Sequence, residues 1–227
     1  MENIYITSAL RTAVGSIGKS LKNISADKLG SEVILKNIED SKISNIDVDE
    51  IVMGQVLTGG TGQNPARQAA IRSGIPKEKP AYIVNQVCGS GIRSVVSGYQ
   101  SIKSKDSKIV VAGGQESMSL APHSVHLRDG KKLGDVEITD TLIKDGLWDA
   151  FHGYHMGVTA ENVAEKFQVT REEQDKFALR SQEKAIKAQK EDKFKDEIIN
   201  FKIQMHNIID NLILINKEIS AINSDTK

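Results

Sequence analysis

The stretch AYIVNQVCGSGIRSVVSGYQSIKS, residues 81–104, decides the fold class of this chain. Its first part is an apolar, β-branched run of the kind found in buried strands, and it ends at a turn containing two glycines. Beyond the turn, apolar residues recur at helical spacing: Ile92, Val95, Val96, Tyr99 and Ile102. A strand followed at once by a helix is the repeating unit of a parallel α/β sheet.

The same alternation continues on both sides of this stretch. The further predicted elements are a buried strand over Ile4–Ala9, a helix after the N-cap Ser25, a strand within 48–60, a helix over 63–75 and a strand within 108–117. In the second helix, Pro65 suits the first turn and Gly74 suits the end. The order predicts an α/β fold with a mostly parallel sheet, whose ligand and catalytic groups gather at the carboxyl ends of the strands.

The rhythm changes after about residue 118. Residues 118–157 are rich in Gly, Asp and His and show no long periodic segment, which is typical of a functional or disordered loop region. Helices are predicted again over 158–168 and 170–193, the second opening with a Thr170–Glu173 capping box. One face of this second helix carries its small and apolar residues: Phe177, Ala178, Ser181, Ala185 and Ala188.

Composition narrows the range of functions. The chain has 227 residues, 39% of them hydrophobic, and a formal net charge of +0. Without a net charge there is no general attraction to nucleic acid or to an anionic membrane, so neither is expected as a partner. No basic start, secretory h-region or apolar run of about 18 residues is present, and a cytoplasmic location is expected. A single cysteine rules out an intramolecular disulfide framework.

Cys88 is the first candidate for chemistry, because it lies on the turn between the predicted strand and helix. A helix N-terminus favours negative charge, so a thiolate placed there is a better nucleophile, and its own N–H could face a developing oxyanion. The flanking Gly89 and Gly91 permit a tight turn and a close approach of substrate. A second interpretation fits equally well, namely a small buried cysteine with a packing role.

Other candidate residues have structural alternatives as well. His155, in GYHMG, could hydrogen-bond a carbonyl or a water, or could be a loop histidine bonded to backbone. The glycines of GGQES, 113–117, either let a strand end pass close to a reacting group or form a turn. Three further histidines lack the spacing of zinc ligands, so no metal site is expected: His123, His126 and His152.

A set of longer motifs, in order from residue 4 to about residue 203, resembles the thiolase family and in particular its acetyl-CoA acetyltransferases. The motifs are RTAVGS, GQVL, GQNPARQAA, NQVCGSG, VVAGGQESMS, APH, HLRDG, DTLIKDGLWDAF, GYHMGVTAENVA and FKDEI. The resemblance implies a thiolase fold, with an N-terminal βαβαβαββ half, an inserted loop domain and no C-terminal half. Residues 1–119 correspond to the first half, 120–204 to part of the loop domain, and 205–227 to a tail outside the family pattern.

The resemblance also implies a function and assigns roles. Cys88 would be the catalytic nucleophile of an acyltransferase that condenses two acetyl-CoA molecules to acetoacetyl-CoA, or runs the reverse thiolysis. His155 and Met156 match substrate-pocket residues, and Leu147 matches one beside the pantetheine arm. Coenzyme A thioesters are substrates, so no separate cofactor is expected. A homotetramer is the family state, and the loop 120–143 corresponds to the one that helps tetramers assemble.

Three further family motifs do not occur in this sequence. They are an NEAF-type asparagine, a GHP-type histidine that activates the nucleophile and a CxGGG-type cysteine that acts as acid and base. The chain has no second cysteine and no His-Pro pair. Relative to the family it resembles a C-terminally truncated member. We therefore expect impaired activity, and the alternative is an inactive remnant or a half-subunit that needs a separate C-terminal half.

Overall fold

A computed structural model describes residues 3–200 of the chain. Its strands are β1 (Glu50–Gly54), β2 (Ala81–Val84), β3 (Val110–Gly114), β4 (His123–Ser124) and β5 (Thr139–Asp140). Its α-helices are α1 (Ala26–Asp40), α2 (Pro65–Arg72), α3 (Ser90–Ser104), α4 (Thr141–Gly146), α5 (Met156–Phe167) and α6 (Arg171–Lys190). No helix in this part of the chain is long and apolar enough to cross a membrane.

The central sheet has three parallel strands in the order β2-β1-β3. In its register Ile51 of β1 lies beside Ala81 of β2 and Val111 of β3. Parallel neighbours need long crossover connections, and here α2 and α3 supply them. This arrangement confirms the predicted α/β class and the predicted strands within 48–60, 80–87 and 108–117.

The hydrophobic core lies on one face of this sheet, against α1 and α2. Its members are Ile34, Ile38, Val48, Ile51, Met53, Ala66, Ala69, Ala70 and Ile75. Side chains alternate along a strand, so Ile51 and Met53 point into this core while Gly54 points to the opposite face. The two helices begin as predicted, with Ser25 at the N-cap of α1 and Pro65 at the first position of α2.

Helix α3 covers the opposite face through its small residues. Ser90, Ser94 and Gly98, spaced four apart, are its buried positions. A Cβ added at Gly98 would lie 3.0 Å from Val110 and 3.4 Å from Ala112, so the helix approaches β3 very closely. The apolar stripe that predicts this helix therefore lies on the outer side, where Ile92 is 77% and Tyr99 51% exposed.

The predicted first strand is wrong. Residues 3–10 form no strand, and Ile6 is 80% exposed. Leu10 N–H donates to Asn37 Oδ1 of α1, so this segment runs beside the helix. An open cavity of about 460 Å³ separates it from β3. The apolar pattern was read as a buried strand, but this gap leaves the segment without the neighbouring backbone that a ladder requires.

The remaining described chain packs loosely on this unit. Helices α5 and α6 confirm the two predicted helices, and the capping box of Thr170 and Glu173 is present. Neither helix has a buried residue, and Phe177 on the predicted apolar face of α6 is 65% exposed. After α6 the chain returns to the N-terminal segment, where Arg11 pairs with Ile198. The predicted boundaries at 119 and 204 stay predictions, and the tail 205–227 lies outside the described residues.

Candidate active site

Cys88 lies in the short connection between β2 and α3, at the carboxyl edge of the sheet. Its side chain is a free thiol and the residue is exposed. Exposure contradicts the interpretation of a buried packing cysteine, because such a residue would be removed from solvent. The 15-residue helix α3 begins two residues later, so its positive dipole end is directed at this turn.

Two side chains hold the turn that carries the thiol. Asn85 Oδ1 accepts the N–H of Val87 at 2.9 Å. The buried Ser90 hydroxyl accepts the N–H of Gln86 at 2.8 Å and donates to the carbonyl of Val87 at 2.6 Å. Val87 itself adopts a φ of 48°, a left-handed conformation that β-branched residues avoid. These contacts fix the backbone on which Cys88 stands.

Glycines bring the strand ends close to the start of α3. A Cβ at Gly54 would lie 2.5 Å from the carbonyl carbon of Ser90, a distance that no side chain can occupy. Gly113 and Gly114 belong to β3, and a Cβ at Gly114 would lie 3.5 Å from the Cα of Gly91. Of the two interpretations left open for GGQES, the turn is wrong because both glycines lie in β3, and the passage of this strand end close to a reacting group stays a prediction.

Polar side chains that the sequence analysis did not single out tie the strand ends together. Glu116 Oε2 accepts the N–H of Val56 at 2.8 Å and that of Leu57 at 3.3 Å, joining the segments after β3 and β1. The buried amides of Gln115 and Gln55 are bonded to each other at 2.9 Å. Their position directly after two predicted parallel strands was the available signal.

The three predicted substrate-binding residues lie together in the loop region. Met156 N–H donates to the carbonyl of Leu147 at 2.8 Å, and Trp148 pairs with His155 across the same short ladder. His155 Nδ1 accepts the N–H of Gly157 at 3.0 Å, which caps α5 and places the proton of the neutral ring on Nε2. Within the described chain, no hydrogen bond or ion pair links this group to Cys88.

Two of the other histidines, His123 and His152, have surface partners. His152 Nδ1 lies 3.0 Å from Asp149 Oδ2, and His123 lies 4.0 Å from Asp140. The backbone N–H groups of His152 and Phe151, followed by the His152 ring, hold the pKa of Asp149 below its usual range. Over residues 3–200, no three His, Cys, Asp or Glu side chains come together in the manner of metal ligands.

Comparison with known proteins settles the family. The profile described as "Thiolase, N-terminal domain" matches residues 4–222. The chain belongs to the thiolase family. The predicted thiolase fold is thereby confirmed, and with it the resemblance from which Cys88 was assigned.

Relatives of known name agree with this family assignment. The acetyl-CoA acetyltransferase of Rhizobium meliloti (strain 1021) is 56% identical over 202 residues, which are 89% of this thiolase-family chain and 51% of the relative. The cytosolic acetyl-CoA acetyltransferase of Rattus norvegicus is 50% identical over 196 residues, 86% of this chain and 49% of the relative. The chain thus spans about half the length of these relatives.

A solved thiolase structure shares the fold. Acat5 thiolase from Ascaris suum, crystallised in complex with coenzyme A, superposes with a TM-score of 0.83 at 39% sequence identity. The match covers 86% of this chain and 51% of that one.

Proposed function

We propose that this chain supplies the nucleophile of a thiolase-type acyltransferase that acts on acetyl-CoA. The observation that carries the proposal is the exposed Cys88 thiol on a side-chain-braced turn at the N-terminus of α3. The shared name of the acetyl-CoA acetyltransferase relatives supports the substrate class. Coenzyme A thioesters act as substrates in this proposal, and no separate cofactor or metal takes part.

The first half-reaction would be transfer of the acetyl group to Cys88. The thiolate Sγ attacks the thioester carbonyl carbon, the carbon–sulfur bond to coenzyme A breaks, and the departing thiolate takes up a proton. The dipole of α3 favours the anionic nucleophile, and the peptide N–H groups of the turn are donors suited to the oxyanion of the tetrahedral intermediate. Leu147, His155 and Met156 would line the pocket for the acyl and pantetheine groups.

The second half-reaction would form the carbon–carbon bond. A second acetyl-CoA loses an α-proton, its carbanion attacks acetyl-Cys88, and acetoacetyl-CoA leaves while the thiolate is regenerated. That step needs a base for the α-proton. Cys88 is the only cysteine in the given sequence, so no residue here matches the CxGGG-type cysteine that acts as acid and base in the family. Acylation of Cys88 lacks the GHP-type histidine that activates the nucleophile in the family, so we expect it to be slowed, and condensation, which also needs the α-proton base, to be slowed further.

Mass spectrometry of the full chain tests the proposal. Incubation with acetyl-CoA should add one acetyl group to the peptide containing Cys88 and release one coenzyme A, and Cys88→Ala should do neither. Cys88→Ala is the matched control because it removes only Sγ from an exposed position. A folded chain that releases no coenzyme A and carries no adduct at saturating acetyl-CoA would refute the assignment.

A second candidate is a half-subunit that works only with a separate C-terminal half. It is favoured by the exposed apolar face of α3, formed by Ile92, Val95, Val96 and Tyr99, because large exposed apolar patches mark interaction surfaces. The half-length match to the relatives points the same way. Adding the C-terminal half of the Rhizobium meliloti relative should restore turnover, and Ile92→Asp should abolish that rescue without preventing acetylation of Cys88.

The cellular location and the oligomeric state of the protein are proposed from its relatives as well. A cytoplasmic location agrees with the cytosolic form named in Rattus norvegicus. A homotetramer, as in the family, is expected only for the completed assembly, and sedimentation of the chain with and without the added half would measure it.

A further inference from the structure

The residue before the nucleophile is held in an unfavourable conformation. Val87 has a φ of 48°, in the left-handed region where the branched Cβ of a valine crowds the backbone. A residue keeps such a conformation only where interactions with its neighbours outweigh the conformational cost, and such residues cluster at functional sites. The turn therefore has to contain groups that keep Val87 in place.

Two side chains supply that restraint from both ends of the turn. Asn85 Oδ1 binds the N–H of Val87 at 2.9 Å, while the Ser90 hydroxyl binds its carbonyl at 2.6 Å. The Ser90 N–H reaches the same carbonyl at 3.1 Å. Both backbone polar groups of Val87 are thus fixed, and rotation back to a relaxed φ would break these bonds.

The Val87 carbonyl and the Cys88 N–H belong to one peptide unit. Every described peptide bond is trans, so this N–H points opposite to the carbonyl that Ser90 holds. Fixing the carbonyl therefore sets the direction of the Cys88 N–H and the position of the Cys88 Cα, from which Cβ and Sγ extend. Ser90 acts on the nucleophile through this plane without touching the thiol.

Ser90 is itself anchored to the sheet. It is 4% exposed, and the space above Gly54 is filled by its carbonyl group. One turn further along α3, the Ser94 hydroxyl lies 2.6 Å from the carbonyl oxygens of both Gly91 and Gly113. The restraint on Val87 is thereby continuous with the rigid part of the fold.

We propose that Ser90, assisted by Asn85, is a positioning residue that holds Val87 in its left-handed conformation and so orients the Val87–Cys88 peptide and the Cys88 thiol. For acyl transfer the inference rests on the proposed function, but the orientation of the thiol can be measured without acetyl-CoA. Sequence patterns could not show it, because serine at a helix start is most simply a cap.

The test compares alkylation of Cys88 by iodoacetamide across pH in the full chain and its variants. Ser90→Ala should slow alkylation by about threefold at neutral pH, since a misplaced thiol presents Sγ less favourably to the reagent. Ser104→Ala is the control, because this exposed residue lies at the far end of the same helix, where its hydroxyl bonds the Ser101 carbonyl. Its profile should overlay that of the wild type.

A double-mutant cycle with Val87→Gly distinguishes an effect of Ser90 that acts through Val87 from a general destabilisation of the turn. Glycine adopts positive φ without strain, so Ser90→Ala should have a much smaller effect in the Val87→Gly background. An equal effect in both backgrounds, or a Ser90→Ala profile that overlays the wild type, would overturn the proposal. If Ser90→Ala does not fold by circular dichroism, the exposed Asn85→Ala replaces it in the same cycle, with the same deciding outcomes.

The proposed function fails separately from this inference. A wild-type chain that accepts no acetyl group from acetyl-CoA, yet shows the expected alkylation cycle, would refute acyl transfer and retain Ser90 as a positioning residue.

Discussion

Replacing Gly54 by alanine is expected to disturb the site more than its size suggests. The added Cβ would lie 2.5 Å from the carbonyl carbon of Ser90, 2.6 Å from its oxygen and 2.7 Å from the nitrogen of Gly91. Non-bonded heavy atoms prefer separations of about 3.5 Å or more, so the start of α3 must move by roughly 1 Å. The obstacles are backbone atoms, which cannot rotate away as a side chain would.

The cost should fall at the upper end of the range for overpacked interiors, about 3 kcal/mol of the free energy of unfolding. Gly91→Ala is the matched control, because its added Cβ meets nothing within 4 Å. In a helix that exchange stabilises by about 0.5–1 kcal/mol. Urea unfolding followed by far-UV circular dichroism measures both variants on the same scale.

The displacement should also reach the nucleophile. Since Ser90 holds the Val87 carbonyl, moving it in Gly54→Ala should slow alkylation of Cys88, whereas Gly91→Ala should leave the helix start in place. A Gly54→Ala chain whose free energy of unfolding stays within about 0.5 kcal/mol of the wild type would refute the close packing of strand end and helix start.

Three further outcomes are expected. Ile34→Ala should lower the free energy of unfolding by about 2–5 kcal/mol because Ile34 is 1% exposed. Ile46→Ala is the control and should change it little, because Ile46 is 65% exposed. Equal losses for the two variants in urea titrations would contradict the assigned core. The backbone N–H of Lys108, opposed in part by burial, lowers the pKa of Asp49. This bond stabilises the fold fully above the unfolded pKa of about 3.9, and its contribution is lost as the pH falls through the lower folded pKa. Asp49→Asn should therefore lower the free energy of unfolding by about 1 kcal/mol at pH 7, and in acid the two chains should become equally stable. A gap that does not narrow as the pH is lowered below about 3.9 would rule this out. Thr170→Ala should weaken the first turn of α6 by about 1 kcal/mol, seen as faster amide exchange there, with global stability unchanged because α6 has no buried residue; a matching global loss would show that α6 is packed.

The sequence was most informative where local chemistry decides structure. Ser25, Pro65 and the Thr170 capping box each mark the start of a helix in the structure, although of these only the Thr170 box makes side-chain capping bonds and the Ser25 side chain makes none. Helix α3 was predicted from its apolar stripe, yet its buried face is Ser90, Ser94 and Gly98. The apolar period predicts that the segment is a helix. Which face is buried depends on close packing against the strand, and here only the face with small residues allows it.

Some features of the candidate site could be predicted from the sequence and others could not. The position of Cys88 between strand and helix followed from the sequence, but its exposure and the positive φ of Val87 did not. Glu116 was missed because its two bonds reach residues 56 and 57, far away along the chain. The apolar pattern of Ile4–Ala9 predicts a strand, but a local pattern carries no information on whether a neighbouring strand is available for pairing.

The cavity beside β3 gives solvent access to one edge of the central sheet. Its volume of about 460 Å³ has room for on the order of ten water molecules along the outer edge of β3. Ile109 and Gln115 bond toward β1, so the alternate residues Val110, Ala112 and Gly114 direct their amides to this wet edge. Deuterium should enter these amides well before those of β1, and without any opening of the sheet, so their exchange measures the access of solvent to this edge of β3.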